Sequence, residues 1–143
     1  MDKKTPDFEL LNHTADLGML VRGKDLQELF ASGAIALAGL MVKRNSNMPP
    51  TQVSLTVEGD DLTDAFVRWL GEILYLLDGE GLIVTGISTL KVSPPGQVEA
   101  LVLAAPLDFE KDEIIHEIKA VTYHQASVNQ TDNGWEARVI FDL

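Results

Sequence analysis

The C-terminal stretch from Lys119 to Leu143 reads KAVTYHQASVNQTDNGWEARVIFDL. Two segments rich in β-branched and aromatic residues flank Thr131-Asp132-Asn133-Gly134, and Asn and Gly tolerate the positive φ angles of tight hairpin turns. The pattern therefore predicts a strand over Lys119 to Val128, a turn, and a final strand. Alternation divides the final strand into two faces, Trp135, Ala137, Val139, Phe141 and Leu143 on one and Glu136, Arg138, Ile140 and Asp142 on the other.

Five other segments are predicted to be strands: Val53, Leu55 and Val57 alternate with polar residues, and the pattern from Leu17 to Gly23 suits a mostly buried strand. These predicted strands cover Phe8 to Leu11, Leu17 to Gly23, Val53 to Val57, Leu82 to Val92 and Val98 to Ala104. Pro94-Pro95-Gly96 predicts a turn between the last two, and Asn45 to Pro50 predicts a loop because adjacent prolines donate no backbone hydrogen bonds. The pattern from Asp108 to Ile118 fits either a short helix or a loop.

Two helices are predicted between these strands. Asp25 is placed to cap the first, with Glu28 reaching back to the cap's backbone N–H, and apolar residues recur at helical spacing from Leu26 to Met41. Asp60 or Asp61 caps the second, which is expected to run to about Leu77, where Gly79 and Gly81 end it. With 143 residues, one domain over residues 1–143 is expected: an α+β single-domain sandwich of mainly antiparallel sheet with two long helices.

The composition excludes several classes of protein. The chain has no cysteine, which rules out a disulfide framework, a cysteine-ligated zinc site and a thiol nucleophile. Its first residues lack the apolar core of a signal peptide. The longest apolar run, Ile35 to Val42, is shorter than the roughly 20 residues that cross a bilayer. We expect a cytoplasmic protein without a membrane segment.

The charge of the chain is concentrated in its middle. The formal net charge is −11, and residues 49–118 hold 3 basic against 13 acidic residues. Lys and Arg contacts to phosphate supply most non-specific affinity for nucleic acid, so direct binding of RNA is not expected. The surplus of carboxylates either keeps the protein in solution or indicates a partner that is a cation or a basic protein surface.

Isolated polar residues within apolar segments are the candidates for chemistry. Asp16 lies with His13 at a junction of two apolar strands, where a carboxylate is costly unless it is hydrogen-bonded, paired or bound to a cation. Asp142 stands beside the α-carboxylate of Leu143, and hard cations such as Ca²⁺ and Mg²⁺ prefer such oxygens. A turn-capping Asp16 and a frayed charged terminus are the alternatives.

Lys119 shares a predicted strand face with Val121 and Tyr123, so its side chain is expected either to extend to solvent along them or to pair with a carboxylate. His116 and His124, with His13, could suggest zinc, but their spacing matches no zinc motif. Hydrolase elbows, phosphate-binding glycine loops and GxGxxG motifs are absent from the sequence.

Several motifs, in this order along the chain, resemble the archease family. They are HTADLG at 13–18, WLGEILYLLD at 69–78, EIKAVTYH at 117–124, Gly134-Trp135 and the closing Phe141-Asp142-Leu143. The resemblance runs from about residue 8 to the end, with only a loose match over residues 79–115.

The resemblance implies an accessory protein rather than an enzyme. Archeases assist RtcB-type RNA ligases, which join RNA ends left by tRNA splicing or repair through a guanylylated histidine, so tRNA would be reached only through the ligase. The family's divalent-metal site (Ca, Mg or Mn) maps onto Asp16, Asp142 and Leu143, and residues for ligase activation map onto Lys119 and His13. A chaperone-like protein-binding module is the alternative, and an independent metallohydrolase is a third.

Overall fold

The protein is described here by a computed structural model that covers residues 5–12 and 16–143. Nine strands and two helices make up this part of the chain. The strands are β1 (Asp7–Asn12), β2 (Asp16–Gly23), β3 (Val42–Lys43), β4 (Thr51–Glu58), β5 (Leu82–Ser93), β6 (Gln97–Pro106), β7 (Glu113–Ile114), β8 (Ala120–Thr131) and β9 (Gly134–Asp142). The helices are α1 (Leu26–Met41) and α2 (Leu62–Glu80).

The strands form three sheets in which every pairing is antiparallel. One sheet has the order β1-β2-β9-β8, a second has the order β4-β6-β5, and β3 pairs with β7. Each helix contacts strands of both larger sheets. The predicted α+β sandwich of antiparallel sheet with two long helices is therefore confirmed. Neither helix is long and apolar enough to cross a membrane, within the residues described.

The two helices meet in the centre of the core. Trp69 is fully buried in α2, and its indole Nε1 donates a 2.8 Å hydrogen bond to the carbonyl oxygen of Phe30 in α1. The rings of Phe30 and Phe66 pack edge to face with centroids 5.0 Å apart. Buried residues of α1 occur around most of its circumference, as expected for a helix that is covered on several sides.

The helix termini follow the predicted capping with two differences. Asp25 and Asp61 are the N-caps, but the Glu28 carboxylate accepts a hydrogen bond from Lys24 N, one residue before the cap. The prediction that α2 ends near Leu77 was wrong, because the helix runs through Gly79 to Glu80. A glycine within a helix costs only about 1 kcal/mol, whereas Gly81, at φ 67°, supplies the left-handed residue that ends one.

The segment that the sequence left open forms a turn followed by β7, which pairs with β3. The Asp112 carboxylate holds this turn against the loop after β3. It accepts hydrogen bonds from the backbone N–H groups of Asn45 and Ser46, both at 2.8 Å, from the Ser46 hydroxyl, and from Asp108 N. These bonds hold the pKa of Asp112 down at about 2, the Asp108 N–H being the largest cause.

Candidate functional site

The fold brings the two aspartates of the predicted metal site together. Asp16 is the first residue of β2, Asp142 is the last residue of β9, and the two lie directly opposite each other in the antiparallel ladder. The pairing follows from the core, because Leu17, Met19 and Val21 oppose Phe141, Val139 and Ala137, all of them buried. A slip of one residue would turn these side chains out to solvent.

Two carboxylates are thus placed on the same face of the sheet in adjacent strands. Asp16 is partly buried and Asp142 is exposed. In the described part of the chain, neither carboxylate forms an ion pair with a basic side chain. Like charges directly opposite each other in a sheet are destabilising. A bound cation would remove this repulsion, and the oxygen ligands suit a hard divalent ion.

Lys119 lies next to Asp142 on the side of β9 that faces β8, opposite the side that pairs with β2. Its backbone N–H donates a 2.8 Å hydrogen bond to the carbonyl oxygen of Asp142, and the next residue, Ala120, is the ladder partner of Asp142. The Lys119 side chain is exposed and, among the residues described, pairs with no carboxylate. Of the two expectations for this lysine, the structure shows the solvent-directed one.

A large bulge in β8 places Ala120, and with it Lys119, beside Asp142. Thr122 pairs with Ile140, but the next pair in the ladder joins Ser127 to Arg138. Residues 123–126 of β8 therefore lie opposite the single residue Val139 of β9. Had the register of the hairpin continued unbroken, Tyr123 would lie opposite Asp142 in place of Ala120. Bulges are common beside functional sites because they redirect side chains.

The bulge changes the strand faces that alternation predicts. The regular pairing holds from Ala120 to Thr122 and is interrupted at residues 123–126. His124 lies within this interruption, so its predicted shared face with Ala120 and Thr122 stays a prediction. Gln125 adopts a φ of 55°, in the left-handed region that is uncommon for residues other than glycine. The bulge adds three residues to β8 relative to β9, and an odd number of extra residues puts the two-residue alternation out of phase across it.

Helix α2 braces the bulge through a pair that the sequence did not reveal. The Tyr123 hydroxyl donates a 2.6 Å hydrogen bond to Asp64 Oδ1, in the first turn of α2, and Arg68 Nε lies 3.0 Å from the same oxygen. The bond from Tyr123 is the main reason that the pKa of Asp64 is lowered, and it also raises the pKa of Tyr123. The hydrogen bond between Tyr123 and Asp64 fixes the part of β8 that follows Lys119 in sequence.

Leu143 and the three histidines are the remaining candidate residues of the sequence. Leu143 is 43% exposed and follows the end of β9, so the strand that was predicted to include it ends one residue earlier. His13 lies outside the described residues. His124 is exposed in the bulge, and His116 is partly buried beside a groove. No three His, Cys, Asp or Glu side chains cluster as metal ligands within residues 5–12 and 16–143.

Comparison with known proteins finds one family. The model of the Archease protein family (MTH1598/TM1083) matches residues 8–143. A protein archease of Pyrococcus abyssi is 32% identical over 139 residues, covering 95% of this chain and 98% of its own length. The solution structure of Methanobacterium thermoautotrophicum protein 1598 superposes with a TM-score of 0.73 at 30% identity, covering 95% of this chain and 98% of the other.

A second solved structure shows the same fold at greater sequence distance. It is the crystal structure of a Thermotoga maritima protein described as an archease and possible chaperone, which superposes with a TM-score of 0.65 at 19% identity. It covers 100% of this chain and 98% of its own. The family match extends over both strands that carry Asp16 and Asp142, and over the bulged strand beside them. This chain belongs to the archease family.

Proposed function

We propose that this protein activates an RtcB-type RNA ligase in the cytoplasm, by promoting guanylylation and repeated turnover of the ligase during tRNA splicing or RNA repair. The observation that carries the proposal is the cross-strand pairing of Asp16 with Asp142 in a chain of the archease family. The protein would be an accessory factor without catalysis of its own. Its acidic surface would keep it from RNA, so that tRNA is reached through the ligase.

The carboxylate pair would hold a divalent metal, Ca²⁺ or Mg²⁺/Mn²⁺. Asp16 and Asp142 provide two carboxylates, and the family resemblance adds Leu143 as the third residue of the site. This donor set fits hard cations, which take about six to eight oxygen ligands, and it leaves positions for water or for a group of the partner. A divalent ion offsets negative charge on nucleotide phosphates, which is the chemistry it would supply at a guanylylation site.

Lys119 would act beside the metal rather than on it. Its backbone is fixed to Asp142 by a hydrogen bond, and its exposed side chain forms no ion pair with any residue that the structure describes. This arrangement suits an exposed cation that contacts the ligase or its nucleotide when the two proteins meet. His13, close in sequence to Asp16, is the second candidate for this role.

A reconstituted reaction tests the proposal. The purified protein is mixed with its cognate RtcB-type ligase, GTP and Mn²⁺, and guanylylated ligase and joined RNA are measured over several turnovers. We expect both to rise with the wild-type protein, to stay at the basal level with Asp16→Asn or Asp142→Asn, and to fall with Lys119→Ala although metal binding persists. No increase with the wild-type protein would refute the proposed function.

A general chaperone-like role is the competing candidate, since the Thermotoga maritima relative is described as a possible chaperone. That role predicts binding to several unrelated basic client proteins, because the chain carries a net charge of −11. It also predicts that Asp16→Asn and Asp142→Asn leave client binding unchanged. Selective binding to the ligase, with loss of activation in these variants, would decide against it.

A further inference from the structure

A groove lined by both apolar and ionisable residues opens beside Lys119, the residue whose backbone is bonded to Asp142. Four largely buried side chains form its floor: Met41, Leu77, Leu107 and Ile118. Its volume is about 530 Å³, within the range of about 300–1,000 Å³ that binding pockets occupy. Lys119, whose N–H is bonded to Asp142, lines the groove as well. The groove and the candidate metal site therefore share one edge of the molecule.

Large apolar side chains stand exposed on the wall of the groove. Phe109 is 83% exposed and Ile114 is 42% exposed. Ile115, which follows directly in sequence, is 47% exposed. A single exposed apolar residue is ordinary on a protein surface, but several together around a groove are typical of an interaction site. The turn that carries Phe109 is held in place by the Asp112 carboxylate, and Ile114 belongs to β7, which pairs with β3, so this wall is fixed before any partner arrives.

Most ionisable groups of the groove are exposed at its rim, and His116, which is half-buried, lines it as well. Asp78 and Glu117 are exposed there, and within the described chain their side chains form no hydrogen bond or ion pair. Small-molecule sites instead place a few buried polar groups to orient the ligand. Among the described residues, Ser46 is the buried polar side chain, and it lies outside this groove. An apolar floor with a charged rim is the arrangement of a protein interface.

We propose that this groove is the docking site for a segment of the ligase that presents an apolar side chain next to a lysine or arginine. The apolar side chain would enter beside Phe109, and the basic group would meet the exposed carboxylates of Asp78 and Glu117. Docking there would bring the ligase surface to Lys119 and to the Asp16–Asp142 pair. The proposal rests on the proposed function and adds to it a separate anchoring surface.

The two surfaces should then have separable effects. Phe109→Ser and Asp78→Lys are expected to raise the dissociation constant for the cognate ligase by about tenfold. They should leave Mn²⁺ binding unchanged and should recover full guanylylation when the variant is present at saturating concentration. Asp16→Asn is expected to bind the ligase while failing to activate it at any concentration. Binding is measured by calorimetry and guanylylation by incorporation of labelled GTP.

Matched controls come from surfaces away from the groove. Leu10 is 45% exposed on β1, at the opposite edge of its sheet from β8, so Leu10→Ser removes comparable apolar surface. Glu58 is exposed at the end of β4. Glu58→Lys therefore makes the same charge change as Asp78→Lys, starting from a carboxylate side chain that is one methylene longer. Both controls should bind the ligase within about twofold of the wild type.

Three results would overturn the groove as the docking site. The groove variants could bind the ligase as the wild type does, with wild-type activation intact, which would leave the proposed function standing. Leu10→Ser could weaken binding as much as Phe109→Ser, which would show non-specific apolar association. A wild-type chain that neither binds nor activates the ligase would overturn both the groove and the proposed function.

Discussion

The carboxylate of Asp112 joins two loops that are more than sixty residues apart in sequence. It accepts four hydrogen bonds, three of them from backbone N–H groups. Hydrogen bonds to the charged form lower the pKa of a carboxyl group, here to about 2 from 3.8. Because the folded pKa lies below the unfolded one, the group favours the folded state at any pH at which it is ionised in the native protein.

Acid should therefore remove this stabilisation over a defined range. The contribution of Asp112 is complete above about pH 4 and is lost as the pH falls through about 2. We expect Asp112→Ala to lower the urea midpoint at neutral pH and to flatten the dependence of the midpoint on pH between these values. Glu110→Ala, two residues away and exposed, is the control. Parallel pH profiles for the wild type and Asp112→Ala would contradict the assignment.

Residue patterns alone suggest Asp16 and Asp142 as site residues, but they do not distinguish a metal site from its alternatives. Asp16 and Asp142 stand out in sequence as charged ends of apolar strands, but a capping residue and a frayed terminus have the same appearance. Their juxtaposition depends on β2 pairing with β9, two strands that are more than a hundred residues apart. The family resemblance indicated the pair, whereas period-two alternation contains no information about which strands are neighbours.

Among the elements, the two helices were the most predictable. Their caps and apolar spacing are local signals, and α1 lies where the sequence places it. The bulge in β8 was not predicted, because Val, Thr and Tyr favour a strand whether or not it is regular. The polar run His124-Gln125 was the available signal, since it interrupts the apolar pattern between Tyr123 and Ala126.

Helix α1 offers a direct test of its own packing. A Cβ added at Gly33 would lie 2.8 Å from Phe66 Cζ, a buried ring fixed by its contact with Phe30, whereas a Cβ at Gly39 meets nothing within 4 Å. Gly39→Ala should therefore raise the free energy of unfolding by about 1 kcal/mol through helix propensity. Gly33→Ala has the same gain, but overpacking offsets it by about 1–3 kcal/mol.

Urea denaturation of the two variants measures the difference. Gly39→Ala should be the more stable by about the overpacking cost, 1–3 kcal/mol. Equal stability would show that the Phe66 ring can move aside, and the contact between the two helices would then be looser than described.

At the scale of the whole molecule, the fold brings strands from both ends of the chain to one place. The sheet order β1-β2-β9-β8 puts the N-terminal strands beside the C-terminal hairpin, and the carboxylate pair lies at this junction. The hairpin itself follows from local turn signals. The contact between β2 and β9 depends on the common core that both strands cover, which no local pattern specifies.

Metal binding should require both carboxylates at this junction. Without metal, Asp16→Asn or Asp142→Asn relieves the repulsion between the opposed carboxylates, so each variant should be as stable as the wild type or more stable by about 0.2–1 kcal/mol. With metal, the wild type gains about 2.7 kcal/mol at a concentration 100 times the dissociation constant, and the variants should lose most of this gain.

The most direct test of the account is the thermal unfolding of the wild type, both single variants and the double variant, in EDTA and in Mn²⁺ or Ca²⁺. Asp78→Asn serves as the control, because this exposed residue lies outside the pair. We expect metal to raise the melting temperature of the wild type and of the control but not of the other three proteins. Equal metal-induced shifts in all five would show that Asp16 and Asp142 do not hold the ion together.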